Sequence, residues 1–117
     1  MKPDDRVRLM HMIDAASEAL GFIQGRSRAD LDSDRMLTLA LVRSIEVIGE
    51  AASKVSTDLR SEYPDVPWSE IIGMRHKLIH GYFDINLNVL WSTLTIDLPE
   101  LERQLQSILL DHSGNSK

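Results

Sequence analysis

Cysteine is absent from all 117 residues. That removes disulfide staples, thiolate catalysis and cysteine-held metals, and it suits a reducing cytoplasm. No window reaches the ~18 uninterrupted apolar residues of a membrane span. The opening Met1-Lys2-Pro3-Asp4-Asp5-Arg6 has no apolar run behind a basic end, so no secretory signal is expected. An excess of positive charge is also lacking. Thirteen Lys and Arg stand against 18 Asp and Glu, a net charge of −5, which is the wrong sign for coating nucleic acid through a broad basic surface. A compact positive patch survives that sum, because a total says nothing about one place. Strand alternation, internal repeats, glycine-rich phosphate loops and low-complexity tracts are missing as well.

What remains is helical. The apolar share of 43% and charged share of 26% are ordinary for a globular chain, and the length suits one domain over 1–112 with a polar tail at 113–117. Val7, Met10, Ile13, Ala16, Leu20 and Ile23 recur at spacings of three and four and predict a first helix, closed by a loop at Gly25. A second helix opens near Asp32 or Ser33. Its main stripe is Leu37, Leu41, Ile45, Ile48, Ala52 and Val55, widened by Met36, Ala40, Val47 and Ala51. Ser56-Thr57-Asp58 reads as a stop and restart, and Tyr63-Pro64-Asp65-Val66-Pro67 as a rigid connector. A third helix runs from Trp68 through Ile79 to a stop at Gly81. Asn86 can cap a fourth, carrying Leu87, Leu90, Trp91 and Leu94. Pro99 bends or divides that helix, with Asp97 poised to cap the continuation through Leu101, Leu105, Ile108 and Leu109. Short loops between amphipathic helices predict an all-α, four- to five-helix, up-and-down antiparallel bundle.

Within this acidic chain the stretch IIGMRHKLIHGYF, residues 71–83, gathers Arg75, His76, Lys77, His80 and Tyr82 and holds no acid. Three chemistries compete for it. His76 and His80, four apart on a helix, lie within about 40° of each other and can grip one metal ion. Lys77 stands beside the first of them, however, and would repel the ion. The second chemistry is phosphate transfer without metal. Arg75 can clamp a phosphate through two hydrogen bonds and His80 can take or give a proton near neutrality. On a regular helix these two lie about 140° apart, so helix-end geometry has to narrow the gap. One histidine cannot easily serve both as base for a 2′-hydroxyl and as acid for a leaving 5′-oxygen, whereas two copies across a two-fold axis supply a second. The third possibility is a solvated helix face with favourable charges near its C-terminus and no chemistry at all.

Arg75-His76-Lys77-Leu78-Ile79-His80-Gly81-Tyr82 resembles the pattern of Arg, four residues, His, one residue, Tyr found in HepT-like toxins of the HEPN superfamily. Residues 40–52 resemble that family's second helix, 63–68 its proline connector, and Asp97-Leu98-Pro99-Glu100-Leu101 the start of its last helix. The resemblance implies an all-α homodimer whose motif helices meet at a shared cleft. It also implies a metal-independent ribonuclease, without cofactor, acting as the toxin of a type VII-like toxin–antitoxin pair. By position, Arg75 holds phosphate, His80 is the acid or base, and His76 and Lys77 support them. Tyr82 becomes the hydroxyl that an MntA-like minimal nucleotidyltransferase antitoxin modifies with AMP, adding charge and bulk at the mouth of the cleft. His76 stands where asparagine is frequent, and Gly81 where a larger residue is often found. Glu46 and Arg43 on the second helix could face the site, a placement the sequence alone does not make. A non-catalytic nucleotide- or partner-binding module and a plain dimerisation protein are the alternatives.

Overall fold

The computed structural model describes residues 1–80 and 84–114. Helix α1 spans Pro3–Phe22, with Pro3 in the first turn, where an N–H would have no helical partner anyway. Asp5 does more than face the helix dipole. It is 3% exposed, and its carboxylate accepts the Ser56 N–H at 2.8 Å and the Ser56 hydroxyl at 2.6 Å. The same hydroxyl accepts the Leu59 N–H at 3.2 Å and so caps helix α4, Thr57–Glu62. One buried carboxylate therefore ties the start of the chain to the turn between its second and third long segments.

The buried face of α1 is Leu9, Met12, Ala15, Ala16 and Ala19. Val7 and Met10, expected on that face, are 46% and 44% exposed. The helix is thus rotated from the expected stripe, because three small alanines let it lie close against its neighbour although they carry little apolar weight. Gly25 turns the chain with φ +75°, and a single turn, α2 (Asp30–Ser33), precedes α3 (Arg35–Ser53). Asp34 caps α3 by accepting the Leu37 N–H at 3.0 Å. Leu37, Leu41, Ile45, Ile48, Ala52 and Val55 are all buried as expected, while Met36 is solvent-exposed.

The connector after α4 is pinned by Trp68, whose indole N–H donates to the Tyr63 carbonyl at 3.1 Å. Two short helices follow, α5 (Trp68–Ile72) and α6 (Met74–Leu78), with Gly73 between them. The expected single helix to Ile79 is therefore broken once and ends early. Strands β1 (Ile79–His80) and β2 (Asp84–Ile85) pair antiparallel, a feature absent from the periodicity. Asn86 accepts the Val89 N–H at 3.0 Å and caps α7 (Leu87–Ser92) as expected.

From Leu87 to Gly114 the chain stays helical, through a π-helical turn at Thr93–Asp97 into α8 (Leu98–Gly114). Pro99 therefore neither divides the helix nor gives Asp97 a capping role. The wider turn immediately before it accommodates the proline ring and its missing N–H. Helix α8 takes in Asp111 and His112 and runs on to Gly114. Helix α1 packs on α3 and α8, α5 and α6 pack on α3, and α6 meets α7. The result is an all-α bundle cored by Leu9, Met12, Leu41, Ile45, Ile48, Leu78, Leu90, Leu94, Leu98 and Leu105. Among the described residues no helix is long and apolar enough to cross a membrane.

Candidate active site

Helix α6 is five residues long and hangs by two apolar anchors, Met74 and Leu78, both buried. Residues four apart share a helix face, so burying 74 and 78 turns the three residues between them outward. Arg75, His76 and Lys77 are all exposed, and His80 beyond them is exposed too. The basic island is a presented surface.

The helix stops because Ile79 adopts extended geometry, φ −114° and ψ 121°. The Leu78 carbonyl, which in a continued helix would accept the N–H of residue 82, accepts the Asn86 N–H at 2.7 Å. That bond closes the small hairpin, in which His80 faces Asp84. His80 is therefore on a strand, and the helical angles that linked it to His76 and Arg75 no longer apply. Three helical and two extended steps leave the Arg75 and His80 backbones at most about 12 Å apart. The helical His76–His80 pair needed for a shared metal ion is not formed, and no three His, Asp or Glu side chains among the described residues gather as a metal-ligand set.

Arg75 has one partner among the described residues. Its Nε–H donates to Glu46 Oε2 on α3 at 2.8 Å, with the guanidinium about half exposed and the carboxylate less so. Glu46 thus does face the site. Arg43 does not; it lines a different groove with Arg8, His11, Glu50 and Lys54. One turn from Glu46, Gly49 sits so close to α5 that an added Cβ would lie 3.2 Å from the Ile71 carbonyl oxygen. That approach was not legible as a site feature, although Gly in the middle of an apolar helix is its usual trace.

Lys77 points away from Arg75, into a groove of about 540 Å³ between α5–α6 and the α7–α8 rod. Asp65, Glu70, Asp97 and Glu100 line the same groove, and four carboxylates to one ammonium make it hostile to phosphate. Arg75 thus meets Glu46 of α3 while Lys77 lines the acid-rich groove, and His76 and His80 are exposed to solvent. Tyr82 lies outside the described residues, as does Gly81.

Residues 12–108 match the family described as "Ribonuclease HepT-like". The chain belongs to that family. Among curated proteins it is similar to a candidate RNase of Caldanaerobacter subterraneus subsp. tengcongensis, with 41% identity over 89% of this chain and 93% of the relative. A candidate RNase of Methanocaldococcus jannaschii is 31% identical over 99% of this chain and 96% of its own length. A protein of Thermococcus cleftensis, given as a candidate ribonuclease HepT, is 34% identical over 79% and 87%. No solved structure matches the chain. The match takes in the connector, both short helices, the hairpin and the Glu46–Arg75 pair.

Proposed function

We propose that this HepT-like chain is a metal-independent endoribonuclease in which Arg75 and His80 act on one phosphodiester. The observation that carries the reading is the exposure of both motif side chains, with the His80 imidazole free of any described partner. In the reaction an imidazole takes the proton of the 2′-hydroxyl and that oxygen attacks the adjacent phosphorus. The bond from phosphorus to the 5′-oxygen breaks, and the departing oxygen receives a proton. The products are a 2′,3′-cyclic phosphate and a 5′-hydroxyl. Arg75 neutralises the charge that builds on the phosphoryl oxygens, and His76 beside it adds a donor. Because one imidazole is poorly placed for both transfers, the working unit is a homodimer whose second copy contributes the other histidine.

The same reading makes the chain a cytoplasmic toxin held in check by an MntA-like nucleotidyltransferase antitoxin that places AMP on Tyr82. A phosphate ester there would repel the RNA backbone from the Arg75 flank. Purified protein incubated with RNA in EDTA is expected to yield cyclic-phosphate ends, and His80→Ala to yield none. Equal decay with both proteins would remove the catalytic assignment. In solution the mass is expected near twice the 13.2 kDa of the chain, and a strict monomer would contradict the shared cleft. Growth arrest on expression, relieved by Arg75→Ala or His80→Ala, is the cellular counterpart.

A further inference from the structure

We infer that Glu46 is a positioning residue for Arg75, fixing the direction in which the guanidinium meets a phosphate; this rests on the ribonuclease reading above. Helix α6 has a single turn and a half and ends at an extended residue, so its own backbone bonds hold it weakly. Beyond its buried anchors Met74 and Leu78, the α5–α6 segment is placed by two features of one α3 face set three residues apart. At Gly49 the absent side chain lets the Ile71 and Ile72 carbonyls come within contact distance, which sets the separation of the two layers. At Glu46 the carboxylate takes the Arg75 Nε–H at 2.8 Å, which sets the rotation of the arginine.

The choice of nitrogen matters. With Nε engaged from behind, the two terminal nitrogens remain as an outward fork, and a fork of that kind matches two oxygens of one phosphate. A half-exposed arginine without this tether would sample many rotamers and would have to be ordered afresh at each encounter with RNA. The carboxylate has an opposing effect. It is partly buried a few ångströms behind the fork and weakens the attraction of the site for a polyanion. Glu46 should therefore improve the chemical step and oppose ground-state binding of RNA, a combination that a purely structural residue would not produce.

The two effects separate in the variants Glu46→Ala and Glu46→Gln. Glutamine keeps an oxygen to accept the Nε–H and loses the charge; alanine loses both. With a short single-stranded oligoribonucleotide as probe, Glu46→Ala is expected to lower kcat about tenfold. Glu46→Gln is expected to recover most of that kcat and to show a KM several-fold below the wild type. Thermal unfolding of each protein is followed in parallel. If kcat and KM of both variants equal the wild type while His80→Ala is inactive, the positioning role is wrong and the ribonuclease reading stands. If kcat falls equally in both variants, in step with loss of folded protein, Glu46 is structural and the inference is likewise overturned. If wild type and His80→Ala cleave alike, the failure belongs to the catalytic assignment and not to Glu46.

Discussion

The polar groups at the α1–α4 junction and those on the open flank of α6 are treated in opposite ways. At the junction Asp5 is withdrawn from water and completely engaged, with the Ser56 backbone and hydroxyl both bound to its carboxylate. In the motif His76 and His80 are exposed with no hydrogen bond to any described side chain, and among the described residues Arg75 is bonded through Nε alone. Leaving a buried carboxylate unmet is costly for a fold of modest net stability, so the first arrangement serves to hold the fold together. The second contributes little to folding beyond the half-exposed Arg75–Glu46 bond. What separates the regions is which groups have been left available.

The sharpest way to test that contrast is to remove the available groups. Arg75→Ala and His80→Ala are each expected to cut RNA cleavage by at least about 100-fold, equivalent to about 2.7 kcal/mol of transition-state stabilisation. The same substitutions are expected to leave the thermal unfolding temperature essentially unchanged, since neither side chain is buried. Lys77→Ala serves as the internal control. Its ammonium faces the acid-lined groove, so cleavage should change by no more than about threefold. A loss with Lys77→Ala as large as with Arg75→Ala would show that both flanks of α6 serve the RNA.

The second test runs the other way, on the engaged carboxylate. Asp5→Ala strands the Ser56 N–H and hydroxyl in a half-buried place, and the expected loss is about 1–2 kcal/mol in chemical denaturation. Remaining folded protein should keep its kcat. A fall in kcat without loss of stability would mean that the junction and the site are coupled, and the contrast would fail.

How far the sequence discloses these two regions differs for a physical reason. The motif residues are close in sequence and chemically loud, so Arg75, His76, Lys77 and His80 are identifiable from order alone, and the exposure of the first three follows from two apolar neighbours four apart. Helix α3 is equally plain, because its large aliphatic residues mark one face. Helix α1 misleads, since its contact face is made largely of alanines, and bulk draws the eye to Val7 and Met10 instead. The strand at His80 is hidden as well. It depends on the Leu78 carbonyl meeting Asn86, eight residues on, a long-range bond with no periodic signature. The Asp5–Ser56 pair spans 51 residues and is beyond any local reading. Glu46 can be suspected from its helix, yet only coordinates separate it from Arg43.

A smaller effect is expected at Gly49, where the two regions share a helix. Alanine would gain about 0.5–1 kcal/mol of helix propensity over glycine, but its Cβ would meet the Ile71 carbonyl oxygen at 3.2 Å. The neighbour must yield by a few tenths of an ångström, so the two terms nearly cancel and net stability should shift by about 1 kcal/mol or less. Cleavage is expected to drop several-fold, because α5 and α6 move together and carry Arg75 with them. Unaltered cleavage in Gly49→Ala would mean that the layer spacing does not govern the site.

The smallest effect concerns a second engaged group, Tyr63, whose hydroxyl donates to Asp111 at 2.5 Å. Burial first, then the hydrogen bond to Asp111 and the nearby negative charge, push its pKa up to about 12 from the ordinary 10.0. The folded protein thus holds this proton more tightly than the unfolded chain. Its contribution to stability is complete below pH 10 and is lost as pH rises through about 12. The chain has two tyrosines, so in a Tyr82→Phe background ultraviolet titration reports Tyr63 alone. The transition is expected near about 12, and Asp111→Asn should move it down towards 10. A midpoint already at 10 in the folded protein would put Tyr63 among the available groups and blur the distinction between the two regions.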